Sequence, residues 1–364
     1  MNSAAPEILF DRRGAAGLVT LNRPHALNAV TLGMVRTLRS QLETWRHDGS
    51  VTRIVLTAAG NRAFSAGGDL RHIYELGRAG RAAEALGFWR EEYALNAAIK
   101  RYPKPYIALI DGIVMGGGVG ISVHGSHRIA GDRFRFAMPE VGIGFFPDVG
   151  ATYFLPRLPG QIGTWCALTG ERLGADDGVT TGIATQRVAS ARFPELAEAL
   201  CDTALVEAIL AAFRGSTGMS ENPTDRAADS APQAIVRRDV IARLFTHDRV
   251  EDILAALDAE AQAGGADAWA GATAAAIRAK APLSLKIALA QMRRGQHWSF
   301  EDCMRAEFRI VSRVAYGEDF YEGIRAVIID KDNRPRWRQS SLAEVSDADV
   351  ERHFAPIDDE LQLP

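Results

Sequence analysis

Cysteine is scarce in this chain: only Cys166, Cys201 and Cys303, far apart among 364 residues. An odd, scattered set offers neither a disulfide framework nor the paired spacing of a structural zinc site, and it points to a reducing compartment. Long apolar runs are missing too. No stretch approaches the roughly 20 residues needed to cross a bilayer, and the opening MNSAAPEILFDRR has no apolar signal segment. A cytosolic location is the expectation. Charge of one sign is not in excess either, with 42 basic residues against 45 acidic ones, so no affinity for nucleic acid or membrane is expected. There is no internal repeat of fixed period and no low-complexity tract. No G-x-S-x-G elbow, P-loop or convincing G-x-G-x-x-G after a strand occurs, which sets aside serine-nucleophile, ATP and dinucleotide chemistry. His124 and His127 have metal-like spacing but no third ligand nearby, so no metal is expected.

What is present fits a soluble globular chain with a large core, since hydrophobic residues make up 47% and charged residues 24%. Residues 7–10 and 18–21 read as a hairpin about the Gly14–Gly17 turn. Thr31 is a candidate N-cap, and Val35, Leu38, Leu42 and Trp45 follow at helical spacing, which predicts a helix over 31–46. Arg53 to Thr57 reads as a strand. This strand, helix, strand order suggests crossover units and an α/β layout. Residues 88–100, 160–168 and 193–213 read as helical. The composition turns polar over 214–232, which marks a linker or loop after a core of 1–213. Residues 233–364 then read as a mostly helical region able to cover a site or a subunit contact.

The chemistry concentrates between Ile107 and Arg157. An apolar run, Ile107 to Ile110, suits a buried strand, and Gly116-Gly117-Gly118 with Gly120 follows. Three adjacent glycines pack nothing and cost backbone entropy, so they make sense where bare N–H groups must approach a ligand. Glu140 and Asp148 come next, separated by an apolar and glycine run. A donor-rich turn followed by two carboxylates suits a reaction in which negative charge forms on an oxygen while a carboxyl group does the chemistry. The loop AFSAGGD (63–69) offers a second backbone donor at Gly67 or Gly68, although Asp69 also reads as a plain cap for a helix starting at Leu70. Asp148 likewise has a bland reading, as a cap for the helix after it. Glu91 and Glu92 beside Trp89 and Tyr93 would ordinarily be a solvated face.

AFSAGGD (63–69), GIVMGGGVGISVHGSHRIA (112–130) and FAMPEVGIGFFPDVGATYFLPRL (136–158) together resemble the crotonase, or enoyl-CoA hydratase/isomerase, superfamily. Those motifs, with REEYALN (90–96) and IRAVIIDKD (324–332), are most similar to its 3-hydroxyisobutyryl-CoA hydrolase branch. The resemblance implies a spiral of ββα repeats and a CoA thioester ligand, with CoA arriving as part of the substrate and no further cofactor. It implies an oxyanion hole from the amides of Gly68 and Gly117, catalytic roles for Glu140 and Asp148, and a substrate contact from Glu92. It also implies CoA contacts around Asn22, Arg23, Ala66 and Gly67. Relatives often form trimers or hexamers, so a homo-oligomer is possible.

One departure matters. Hydratases of the family carry a glutamate two residues after the triple glycine, and here that position is Gly120. A hydrogen atom cannot shuttle protons, so ordinary hydration should be lost or weakened. Three readings stay open: hydrolysis of a short branched 3-hydroxyacyl-CoA, an enoyl-CoA hydratase or isomerase, and a CoA-binding protein without activity.

Overall fold

A computed structural model describes residues 5–214, 233–264 and 268–364. Two strands, β1 (Ile8–Arg13) and β2 (Ala16–Leu21), form the antiparallel hairpin expected at the start, with the turn drawn tight at Gly14 and Ala15. From there the chain repeats one move. A strand enters a large sheet, the next short strand enters a small one, and helices carry the chain back. The pairs are β3 (Arg53–Ala58) with β4 (Ala63–Ser65), β5 (Tyr106–Ile110) with β6 (Ile113–Met115), and β7 (His127–Ala130) with β8 (Arg135–Ala137). The large sheet, closed by β9 (Gln186–Arg187), has the order β1-β2-β3-β5-β7-β9, and the small one β4-β6-β8. Every pairing after the hairpin is parallel, as crossover connections require. The expected crotonase-like spiral with a helical C-terminal region is the architecture found.

Near-continuous apolar runs in β3 (RIVLTA) and β5 (YIALI) explain why the large sheet is covered on both faces. Ile54, Leu56, Ala108 and Ile110 face one core, whereas Val55, Ile107, Leu109 and Ile129 face a second, smaller one. The second is roofed by Leu196, Leu200, Ile209 and Leu210 from helices Phe193–Ala199 and Val206–Ala212. Those helices read as one in the sequence and are separated by residues 200–205. The main core also takes in α1 (Leu32–His47), where the hydroxyl of Thr31 accepts from the Met34 N–H, a cap worth about 1 kcal/mol. Helix α2 (Leu70–Arg78) begins at Asp69, whose carboxylate accepts from His72 N–H as the capping reading expected.

Helix α3 (Ala82–Lys100) is buried on most sides and starts earlier than the sequence pattern indicates. Helices Pro282–Gly295, Phe300–Val314 and Glu318–Ile324 contribute to the same core as the sheets, so the C-terminal third packs into the spiral. The linker expected over 214–232 lies almost wholly outside the described residues. Among the described residues no helix is long and apolar enough to cross a membrane.

Candidate active site

Two loops end on neighbouring strands of the small sheet, and the pairing of β4 with β6 brings their glycines together. After β4 the chain runs through Ala66, Gly67 and Gly68. Ala66 N–H donates to Leu27 O (3.0 Å), Val30 N–H to Gly67 O (2.8 Å) and Asp69 N–H to Val30 O (2.9 Å). These bonds hold the loop against residues 27–30. After β6, Gly116 adopts φ +45 and starts the short helix α4 (Gly117–Gly120). A Cβ added at Gly117 would lie 3.3 Å from Gly68 N and 2.5 Å from Glu92 Oε1. One added at Gly67 would lie 3.9 Å from Gly117 N. The two backbones therefore meet edge to edge, and at Gly117 even a methyl group would press on Glu92. Among the described residues, neither the Gly68 nor the Gly117 N–H has a hydrogen-bond partner.

The carboxyl groups gather beside this pair. Glu140 opens a helical turn (Glu140–Ile143) after β8 and is 6% exposed; its Oε1 lies 3.3 Å from where a Cβ on Gly116 would stand, and its Oε2 has no partner among the described residues. Glu92 is 2% exposed, and its Oε1 is also unpaired. The neighbouring Glu91 is held by Arg36 on the surface. The expected solvated face is thus true of Glu91 and not of Glu92. Asp148 accepts a 2.9 Å hydrogen bond from the Tyr93 hydroxyl. Its carboxyl does not cap the following helix, Ala151–Phe154. Glu307 does that from another helix, accepting from Gly150 N–H (2.7 Å) and Thr152 N–H (2.9 Å).

Burial dominates the electrostatics, because a charged carboxylate loses its hydration there. It pushes Asp148 up to about 7, against the Tyr93 hydrogen bond that pulls it down. Burial and then the Asp148 charge drive Glu92 and Glu140 well above the ordinary carboxylate range. Glu307 rises to about 8 for the same first reason, although two backbone donors favour its anion. Burial opposes charge on all four carboxyls and the Asp148 charge raises the other three, so the group favours shared protonation.

At Gly120 an added Cβ would lie 2.8 Å from both Asn96 Nδ2 and Val149 Cβ. The space in which a glutamate would have to stand is already filled.

Of the remaining residues named from sequence, Ala66 and Gly67 border the glycine pair. Asn22 and Arg23 reach it through no hydrogen bond. Asn22 donates to Pro6 O (2.9 Å), while Arg23 bonds Ala29 O (2.7 Å) and Asp69 (3.0 Å) and pairs with Glu7. They brace the 22–30 loop. Asn28, absent from the sequence reading, is a buried polar member of that loop and donates to Ala59 O and Ala63 O. Tyr93 and Glu307 were also missed. Glu307 had a signal: it falls on the apolar stripe Phe300, Met304, Phe308, Val311 of its helix, where an acid is out of place. His124 Nε2 donates to Val149 O at 2.7 Å, and burial lowers the ring to about 4, so it is neutral.

The chain is similar to known proteins along nearly its whole length. Residues 16–354 match the family described as enoyl-CoA hydratase/isomerase. The chain is 42% identical over 358 residues to a 3-hydroxyisobutyryl-CoA hydrolase, mitochondrial, of Danio rerio, covering 98% of this chain and 92% of that one. It is 41% identical over 354 residues to the Homo sapiens protein of that name, covering 97% and 90%. Among solved structures it is similar to a carnitinyl-CoA dehydratase from Mycobacterium thermoresistibile (TM-score 0.89, 42% identity, 98% and 99% of the two chains). An enoyl-CoA hydratase from Rhodobacter sphaeroides 2.4.1 is similar too (TM-score 0.86, 36% identity, 98% and 100%). These names differ in reaction and agree in fold and ligand class. Sheet topology, paired glycine loops and near full-length similarity converge on one assignment: the chain belongs to the enoyl-CoA hydratase/isomerase family.

Proposed function

We propose that this protein hydrolyses the thioester of a short branched 3-hydroxyacyl-CoA of the 3-hydroxyisobutyryl type, as in valine breakdown. The observation that carries this reading is the filled space at Gly120, set beside the buried Glu140 and Asp148. Syn hydration needs a second carboxylate on a water at that place, and none fits. Hydrolysis needs a polarised carbonyl, a nucleophile and a proton for the leaving thiolate. In the proposal the thioester oxygen sits between the amides of Gly68 and Gly117, which stabilise the oxyanion as it forms. Glu140 acts on the carbonyl carbon, either as the nucleophile, giving an anhydride that water then opens, or as the base that takes a proton from the attacking water. The C–S bond breaks, a protonated carboxyl of the Asp148 group donates its proton to sulfur, and the proton released from the attacking water restores that carboxyl. In the proposal Glu92, which has an unpaired oxygen beside Gly117, accepts from the substrate hydroxyl.

The names of the similar solved structures favour a hydratase or dehydratase as the second reading. One assay separates the two. Thiol release is followed with a panel of acyl-CoAs, and loss of enoyl absorbance is followed with crotonyl-CoA. Thiol release from hydroxyacyl thioesters with little hydration supports hydrolysis; rapid hydration with no thiol release sinks it. The three cysteines are all unpaired and buried, which supports a reducing compartment. The curated relatives carry "mitochondrial" in their names; a cytosolic location for this protein stays a proposal that cell fractionation tests.

A further inference from the structure

Asp148 sits at the start of a turn that its own sequence does not stabilise. Val149 has φ +52, a conformation that a β-branched residue rarely adopts, and Gly150 has φ +90. A turn of this kind persists only where its surroundings over-determine it. The helix that follows, Ala151–Phe154, has no side-chain cap from its own N-terminal residue. The restraint comes from elsewhere in the chain. Both oxygens of Glu307 are taken up by the Gly150 and Thr152 N–H groups. Gln291 Nε2 donates to Pro147 O (3.0 Å) and Thr152 Oγ1 (2.7 Å). His124 Nε2 closes the third side on Val149 O. Glu307 and Gln291 are both fully buried. A carboxyl group and an amide placed so deep are costly unless hydrogen-bonded; both Glu307 oxygens and Gln291 Nε2 are bonded, while Gln291 Oε1 has no partner among the described residues.

We propose that Glu307 and Gln291, on two helices of the C-terminal third, are positioning residues that clamp the 147–152 turn and so aim the Asp148 carboxyl at the reacting thioester. The proposal rests on the hydrolase reading and deepens it. The long C-terminal extension then takes part in catalysis without touching substrate. A simple cap would stabilise the fold and leave turnover unaltered; a clamp on Asp148 makes turnover depend on it. In E307Q the amide nitrogen must face one of the two backbone N–H donors, so one side of the clamp opens while the side-chain size is kept.

The experiment measures kcat, KM and Tm for thiol release by the full chain as wild type, Glu307→Gln, Gln291→Met and Val314→Ala. Val314 is buried on the same helix, two turns beyond Glu307, and serves as the stability control. The clamp predicts that E307Q lowers kcat at least tenfold and Q291M at least threefold, with KM within threefold. V314A should keep kcat within twofold even if its Tm falls as far. Folded E307Q with kcat within twofold of wild type overturns the proposal, as does a V314A that loses kcat in step with its Tm. If E307Q does not accumulate as folded protein, Q291M decides, and unchanged kcat there refutes the clamp. A wild type that releases no thiol instead overturns the hydrolase reading itself, and the clamp falls with it.

Discussion

Replacing Gly117 by alanine tests the paired-amide site at its narrowest point. The added methyl would stand 2.5 Å from Glu92 Oε1 and 3.3 Å from Gly68 N. It would enter the gap between the two donors and press on a buried carboxyl that has little freedom to retreat. A preorganised donor of this kind typically supplies about 3 kcal/mol to the transition state, so displacing one slows turnover by about 100-fold. The assay is kcat for thiol release, with Tm recorded to show that the variant is folded. Gly87→Ala is the control. It lies in the interior of α3 with nothing within 4 Å of an added Cβ, so it should gain stability, by up to about 1 kcal/mol, and keep full activity. A folded G117A that turns over within threefold of wild type would refute the two-amide account.

Three further outcomes follow from the same geometry. Gly120→Glu should lower Tm by several degrees without creating crotonyl-CoA hydration, since its Cβ meets Asn96 and Val149 at 2.8 Å; a stable variant that hydrates would show that the space exists. Asp148→Asn should stabilise the fold relative to wild type more at pH 8 than at pH 5. The Asp148 carboxyl rises from 3.8 to about 7 on folding, so its contribution to stability is greatest below about pH 4, declines up to about 7 and is flat above. Glu92, Glu140 and Glu307 titrate with it and broaden the curve; a Tm difference that shrinks from pH 5 to 8 would contradict the assignment. Exhaustive treatment with a chelator should leave kcat unchanged, and a metal-restored loss would overturn the metal-free mechanism.

The sequence patterns carried the local structure well where one residue type decides it. Thr31 and Asp69 cap helices because their side chains accept from the first turn, and the apolar run Ile107 to Ile110 is the buried strand it reads as. Positions whose role comes from distant contacts were harder to read. Asp148 looks like a cap by local rules, yet its carboxyl belongs to Tyr93 because Glu307, 159 residues further on, has taken the cap. Asn22 and Arg23 read only as ligand contacts, and the structure shows that they also bond Pro6, Ala29 and Asp69. Gly120 reads as a missing acid, and only the packing shows that Asn96 and Val149 fill its place. Periodicity assigns a residue to a helix face, but it cannot say which strand or turn that face will meet.

The most direct measurement is a crystal structure with a non-hydrolysable hydroxyacyl-CoA analogue that keeps the carbonyl. The account predicts the carbonyl oxygen within about 3 Å of both the Gly68 and Gly117 nitrogens, with Glu140 facing the carbonyl carbon and Asp148 beside it. An oxygen bound away from those amides, or both acids turned from the carbonyl, would contradict it.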